Sequence, residues 1–126
     1  MSDAENRATV EALIAAINGN DRPALDKVFA EDAVIEWPQS GERINGGQNR
    51  REIYNRFPSL PKVTPRRITG RGDLWVLEAS LDYGDNEPYQ CVFMFEIKDG
   101  KIAREVGYWS KPFPAPDWRA PWVERM

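Results

Sequence analysis

Residues 74–109 read LWVLEASLDYGDNEPYQCVFMFEIKDGKIAREVGYW, and their spacing decides the fold. Apolar and polar residues alternate with period two, the pattern of strands that bury one face. In the first segment Trp75, Leu77, Ala79, Leu81 and Tyr83 lie opposite Val76, Glu78, Ser80 and Asp82. In the next, residues 88–97, Tyr89, Cys91, Phe93 and Phe95 lie opposite Gln90, Val92, Met94 and Glu96. Asp99-Gly100 is a two-residue hairpin signal, because such turns need positive φ at both positions. The last segment, residues 101–109, places Ala103, Glu105, Gly107 and Trp109 on one face. With the strand PRRITGR at 65–71, this predicts an antiparallel meander of three to four strands.

The chain before it reads as helices. Val10, Leu13, Ile14 and Ile17 fall at i, i+3, i+4 and i+7, one apolar stripe. Ser2 and Glu5 have capping-box spacing, and Gly19 is expected to stop the helix in the left-handed conformation. Asp21 and Pro23 open a second helix whose Leu25, Val28 and Phe29 share a face. Residues 33–47, AVIEWPQSGERINGG, turn β-like and make a small hairpin. A third helix over about 48–57 turns Ile53, Tyr54 and Phe57 inward, and Pro58 ends it. Helices first and strands afterwards describe an α+β domain, one curved sheet with helices on its inner face.

Composition narrows the chemistry. A chain of 126 residues with 41% hydrophobic content makes one folded domain, residues 1–126. The net charge of −3 argues against nucleic acid, whose phosphates call for a basic face. The basic cluster NRREIYNR at 49–56 reads as a solvated helix face. No apolar run approaches the roughly 20 residues that cross a bilayer, and the acidic start MSDAEN is unlike a signal peptide. Cys91 is the single cysteine, which fits a cytoplasmic address. The absence of histidine removes Ser-His and Cys-His catalysis and His-based metal sites, so no metal and no cofactor are expected. Acid–base chemistry is left to Asp, Glu, Tyr or Lys.

FAEDAVIEWPQSGERINGG after an amphipathic helix pair, with DGKIAREVGYW closing the meander, resembles the nuclear transport factor 2-like superfamily, in particular its SnoaL-like branch. The resemblance runs to about Trp109 and implies a cone: a curved antiparallel sheet wrapped around the N-terminal helices, with a pocket open at one end. It also implies a homodimer through the outer sheet face bearing Val76, Val92 and Met94. Members include steroid isomerases, epoxide hydrolases, dehydratases, polyketide cyclases and inert binding domains, so the site must choose among them. The steroid-isomerase positions for base, tyrosine and protonated acid map to Trp37, Leu13 and Phe93, all apolar here. The Arg and Asp of the epoxide hydrolases, two apart on the strand carrying Cys91 and Phe93, are missing.

The resemblance turns Glu105 inward, where it is the one acidic candidate for acid/base work. It reads either as a carboxyl desolvated among Trp37, Phe93 and Trp109, or as a structural partner of Arg66 or Arg67. A slip of one residue would turn it outward. Glu36, one residue before Trp37, faces away from the pocket on the same logic. The expected lining is Leu13, Trp37, Tyr54, Trp75 and Tyr89, continued by Cys91, Phe93, Gly107 and Trp109. Cys91 reads as a small inward hydrophobe. The tail, residues 110–126, holds four prolines that oppose regular structure, while Phe113, Trp118 and Trp122 are expected to dock as a lid or against a partner subunit. The reading is a small-molecule-binding protein for a small hydrophobic molecule, with an isomerisation, cyclisation or dehydration if Glu105 is active. The alternative is a non-catalytic dimerisation module.

Overall fold

The computed structural model describes residues 2–126. Three helices, α1 (Asp3–Asn18), α2 (Arg22–Val28) and α3 (Gly47–Tyr54), are interleaved with six strands. The strands are β1 (Phe29–Trp37), β2 (Glu42–Asn45), β3 (Lys62–Arg71), β4 (Leu74–Asp82), β5 (Tyr89–Lys98) and β6 (Lys101–Ser110). They form one sheet in the order β2-β1-β6-β5-β4-β3. Every pairing is antiparallel except that of β1 with β6. The α+β cone implied by the resemblance is present: α1 and α2 pack inside a curved, unclosed sheet.

Local sequence explains the helix ends. Ser2 and Glu5 form the capping box, with the Glu5 amide donating to Ser2 Oγ at 3.1 Å. Gly19, however, is right-handed at φ −83°, and the left-handed residue is Asn20 at φ 49°. Asn tolerates that region through its short polar side chain. Asn20 Oδ1 then accepts from the Leu60 amide at 3.0 Å, so the turn also holds the loop after α3. That helix is shorter than expected and stops at Tyr54, where Arg22 donates to the carbonyls of Tyr54 at 2.6 Å and Phe57 at 2.8 Å.

One end of the cone is closed. Gly72, in the β3–β4 turn, accepts from Asn6 Nδ2 at 2.9 Å and from Trp75 Nε1 at 2.8 Å, and its amide donates to Asp3. The Trp75 ring lies against Gly70, where a Cβ would sit 2.5 Å from the indole. Phe95, Ile97 and Ile102 fill the interior at this end, each buried apolar side chain contributing about 1.5–3 kcal/mol. From here β4 and β6 run towards the open end, and β5 runs back.

The sheet has more strands than the meander predicted from period alone. The small hairpin β1–β2 joins it through the parallel β1–β6 pairing, a long-range contact that no local pattern reveals. Asp99 at φ 51° and Gly100 at φ 76° make the expected hairpin. Just past that turn the register slips: Ile97 faces Ile102, while Glu96 faces Arg104. Ala103 is therefore the extra residue of a bulge and does not share the inward face with Glu105, as strict alternation would have it. Ile102, Glu105 and Gly107 are all buried because of it.

The tail also departs from expectation. Asp117–Trp122 forms a 3-10 helix despite Pro121. Phe113, Trp118 and Trp122 are 74%, 71% and 79% exposed, so they neither dock on the domain nor cover its open end.

The bulge yields a prediction. Deleting Ala103 forces Ile102 or Glu105 out of the interior, and loss of the Ile102 contacts should lower the unfolding free energy by about 2–5 kcal/mol in urea titration. An unchanged midpoint would show that the bulge does not set the strand's facing.

Candidate functional site

The open end holds a chamber of about 100 Å³ that leads into a wider vestibule of about 380 Å³. Trp37, Phe57, Tyr83 and Trp109 line both and form the neck between them. Leu13 and Leu25 of the helices, Leu77 of β4, Phe93 of β5 and Glu105 of β6 line the chamber. Apart from Glu105, its polar side-chain atoms come from Tyr54 and Tyr83, since the indole nitrogens of Trp37 and Trp109 are buried.

β6 builds this wall in three steps from floor to mouth: Glu105, Gly107 and Trp109. Glu105 pairs across the sheet with Phe95 on one side and Ile35 on the other, so its flanks are apolar. Gly107 faces Phe93, and a Cβ there would lie 2.9 Å from the Trp109 ring and 3.1 Å from the Phe93 ring. Only glycine leaves those rings room in their present positions. Trp109 stands edge-to-face with both neighbours, its centroid 5.5 Å from Phe93 at 84° and 5.7 Å from Trp37 at 78°. Gln39, from the turn after β1, clasps the Trp109 backbone by donating to its carbonyl and accepting its amide at 2.6 Å.

Glu105 is the electrostatic centre. It is buried, and loss of hydration pushes its carboxyl up to about 7, against a weaker downward pull from the Arg50 charge. Neither reading that pairs it with arginine holds: Arg67 bonds Glu78 at 3.1 Å, and Arg66 is exposed. Arg50 is the functional neighbour the sequence hid. Read from the basic cluster as solvated, it is buried, bonded to Asp26 at 2.5 Å and stacked 4.6 Å from the Phe29 centroid. Its companion Arg51 bridges Asp26 and Glu31. Arg50 is thus committed to Asp26 and leaves Glu105 only partly compensated.

The phenols around the acid are held protonated. Burial raises Tyr54 well above its ordinary value, and the Glu105 charge adds to this. Burial likewise takes Tyr83 to about 12, and the nearby Trp109 N–H, short of hydrogen-bond geometry, pulls slightly the other way. The indole nitrogens of Trp37 and Trp109 are both buried without an acceptor. Glu36 lies outside on the sheet, where bonds to Arg104 and then to Arg43, at 2.8 Å, hold it below the usual carboxylate range.

The structure brings together Leu13, Trp37, Tyr54, Phe93, Glu105 and Trp109 from the residues expected to line the pocket. Three others stand elsewhere. Trp75 belongs to the closed end, Cys91 is a buried thiol raised to about 11 by desolvation, and Gly107 backs the wall. Tyr89 lines the vestibule only. Phe57 and Tyr83, which spacing turned inward, line it too although they were not counted among the lining residues, and Leu60 was missed because it sits in a loop where periodicity is silent. Among the described residues no three His, Cys, Asp or Glu side chains gather as a metal site. No described helix is long and apolar enough to cross a membrane.

The sequence matches the model of the SnoaL-like domain over residues 10–105. An NTF-2 like protein of unknown function from Burkholderia xenovorans is 35% identical, with TM-score 0.90, over 100% of this chain and 98% of its own. A protein from Kribbella flavida, provisionally named a ketosteroid isomerase, is 28% identical with TM-score 0.87, over 100% of this chain and 93% of its own. An LEH-like epoxide hydrolase from M. tuberculosis is 25% identical with TM-score 0.74, covering 85% of this chain and 84% of that one. Comparison with curated proteins gives no match.

The burial of Glu105 predicts a pH dependence with a definite sign. Below its unfolded value of 4.5 both states hold the proton, and above about 7 both lose it. Between these limits the folded state holds more proton, so stability falls as pH rises, by about 3 kcal/mol in total. Asp26, Glu31 and Glu36, all lowered, act with the opposite sign and at lower pH. Urea midpoints should therefore decline from pH 4.5 to 7, and Glu105→Gln should flatten that decline.

Proposed function

The chain belongs to the SnoaL-like domain family, and from that membership we propose that it binds a small, mostly apolar molecule with one polar head. The head enters the chamber and meets Glu105, while the apolar body rests between the aromatic side chains of the neck and vestibule. The observation that carries this reading is Glu105 itself: a buried carboxyl on the floor of an aromatic chamber, pushed up to about 7 by lost hydration and only partly compensated by Arg50. An acid poised at working pH can give or take one proton without a cofactor. Isomerisation, cyclisation and dehydration are the reaction types that need no more than this, with Tyr54 or Tyr83 as a neutral hydrogen-bond donor. Positions that would hold an isomerase base, tyrosine and protonated acid are filled by Trp37, Leu13 and Phe93, so the acid–base work falls to Glu105 alone. A cytoplasmic address fits the free, buried Cys91 thiol.

Assembly accompanies binding in this proposal. The outer sheet face exposes Val92 and Tyr108 beside Val76 and Met94, and the tail exposes three large aromatics. A homodimer through that face would cover the first group and give the tail a partner surface. Sedimentation at micromolar concentration should give twice the chain mass; a monomer under those conditions would remove the dimer from the account.

The ligand reading is tested with compounds carrying one aromatic or alicyclic ring and one polar head. Saturating binders should raise the melting temperature and quench tryptophan fluorescence through Trp37 and Trp109. Phe93→Trp, which fills the chamber from its wall, should weaken them at least tenfold, and equal affinity would place the ligand elsewhere.

A further inference from the structure

The chamber's charge and wall chemistry narrow the head group further than its shape does, and this step rests on the reading that Glu105 faces the ligand. No Lys or Arg lines the chamber, so a carboxylate or phosphate head there would face the Glu105 carboxylate with only the Tyr54 and Tyr83 hydroxyls as donors and no cation to neutralise it. A hydrocarbon head would leave a buried carboxyl with no hydrogen-bond partner, at a cost of about 1–3 kcal/mol. The indole nitrogens of Trp37 and Trp109 are shut off from the cavity, so their ring carbons are what a guest touches. Trp109 stands near 80° to both Trp37 and Phe93, which sets π-systems on adjoining walls of one small space. Aromatic walls at right angles with an acid at the floor are what an organic cation requires.

We propose that the chamber receives a small alkylammonium head, tertiary or quaternary, with Glu105 as its counter-charge and Trp37, Phe93 and Trp109 as its cage. The chamber, at about 100 Å³, has room for a compact branched head. The rest of the ligand occupies the vestibule. The fold already sets one ammonium on an aromatic ring of that vestibule: Lys111 Nζ lies 5.7 Å from the Tyr89 centroid, paired with Glu87 at 3.4 Å. The acidic chain as a whole, net −3, favours approach of a cation.

Binding of a permanent cation selects ionised Glu105, which gives the proposal a pH signature opposite to that of an oxygen-acceptor ligand. The groups that bear on Glu105 are few. Arg50 and Tyr54 face it from α3 and Tyr83 from the loop after β4; α1, α2, β1 and β5 bring only apolar or aromatic side chains to the chamber. Tyr54 and Tyr83 stay protonated across the range used, and Arg50 is bonded to Asp26.

The experiment compares phenyltrimethylammonium with tert-butylbenzene, its neutral isostere, by tryptophan quenching and calorimetry on the intact protein. With Glu105 titrating at about 7 in the free protein, the cation should bind about tenfold tighter at pH 8 than at pH 6, while the isostere shows no such gain. Glu105→Gln should remove the pH dependence and weaken the cation at least tenfold. If the isostere binds and the cation does not, or if cation affinity is flat or falls with pH, the ammonium assignment is overturned and the small-molecule site stands. If neither binds, the ligand reading falls and the inference with it. Should Glu105→Gln fail to fold, the wild-type pH profiles alone decide.

Discussion

Ala103 is the extra residue in a β-bulge, and the side of the sheet on which Glu105 stands follows from it. Ile102 packs against Ile97 in the closed end and has no exposure left to lose. In an unbroken strand, an inward Ile102 would bring Arg104 inward and turn Glu105 to solvent. The bulge adds one residue between them and resets the phase. Arg104 then reaches the outer ladder with Glu36 and Glu96, and Glu105 enters the interior beside Phe95 and Ile35. Core packing at one end of the cone and acid chemistry at the other are thereby compatible on a single strand.

The rest of the site is arranged to keep that acid desolvated without neutralising it. Asp26 holds the Arg50 guanidinium, so the one buried cation nearby lowers Glu105 only in part. Arg22 ties the end of α3, and Asn20 the loop that follows, beside the chamber, which Phe57 and Leu60 line. Asn18 bonds both the amide and the carbonyl of Val63, joining α1 to the edge strand on the same side. Gly107 gives the rings of Phe93 and Trp109 their place, and Gln39 fixes Trp109 at the mouth. The stability sacrificed at Glu105 supports the proposal that the chamber takes a ligand, since an apolar residue would pack there at lower cost.

Much of this was legible in the sequence because it is local. The capping box at Ser2 and Glu5, the Asp99-Gly100 hairpin and the buried faces of β4 and β5 follow from spacing alone. Alternation keeps Glu36 off the face of Trp37, and the resemblance turned Trp37 and Phe93 towards the chamber they line. What escaped is non-local. The parallel β1–β6 pairing joins residues about seventy apart, and the bulge is set by which isoleucines fill the far end of the cone. The burial of Arg50 depends on Asp26 and Phe29, on a different helix and strand, so its neighbours in NRREIYNR do not announce it. The tail aromatics looked too apolar for solvent, but nothing in a single domain offers them a groove.

The central claim is that Glu105 is a buried acid poised near neutrality, and its own carboxyl carbon reports on that most directly. A ¹³C nuclear magnetic resonance titration of the Glu105 side chain should show a midpoint of about 7. A midpoint near the ordinary 4.5 would contradict the account, because it would mean a solvated or neutralised carboxylate and a strand facing other than the one described.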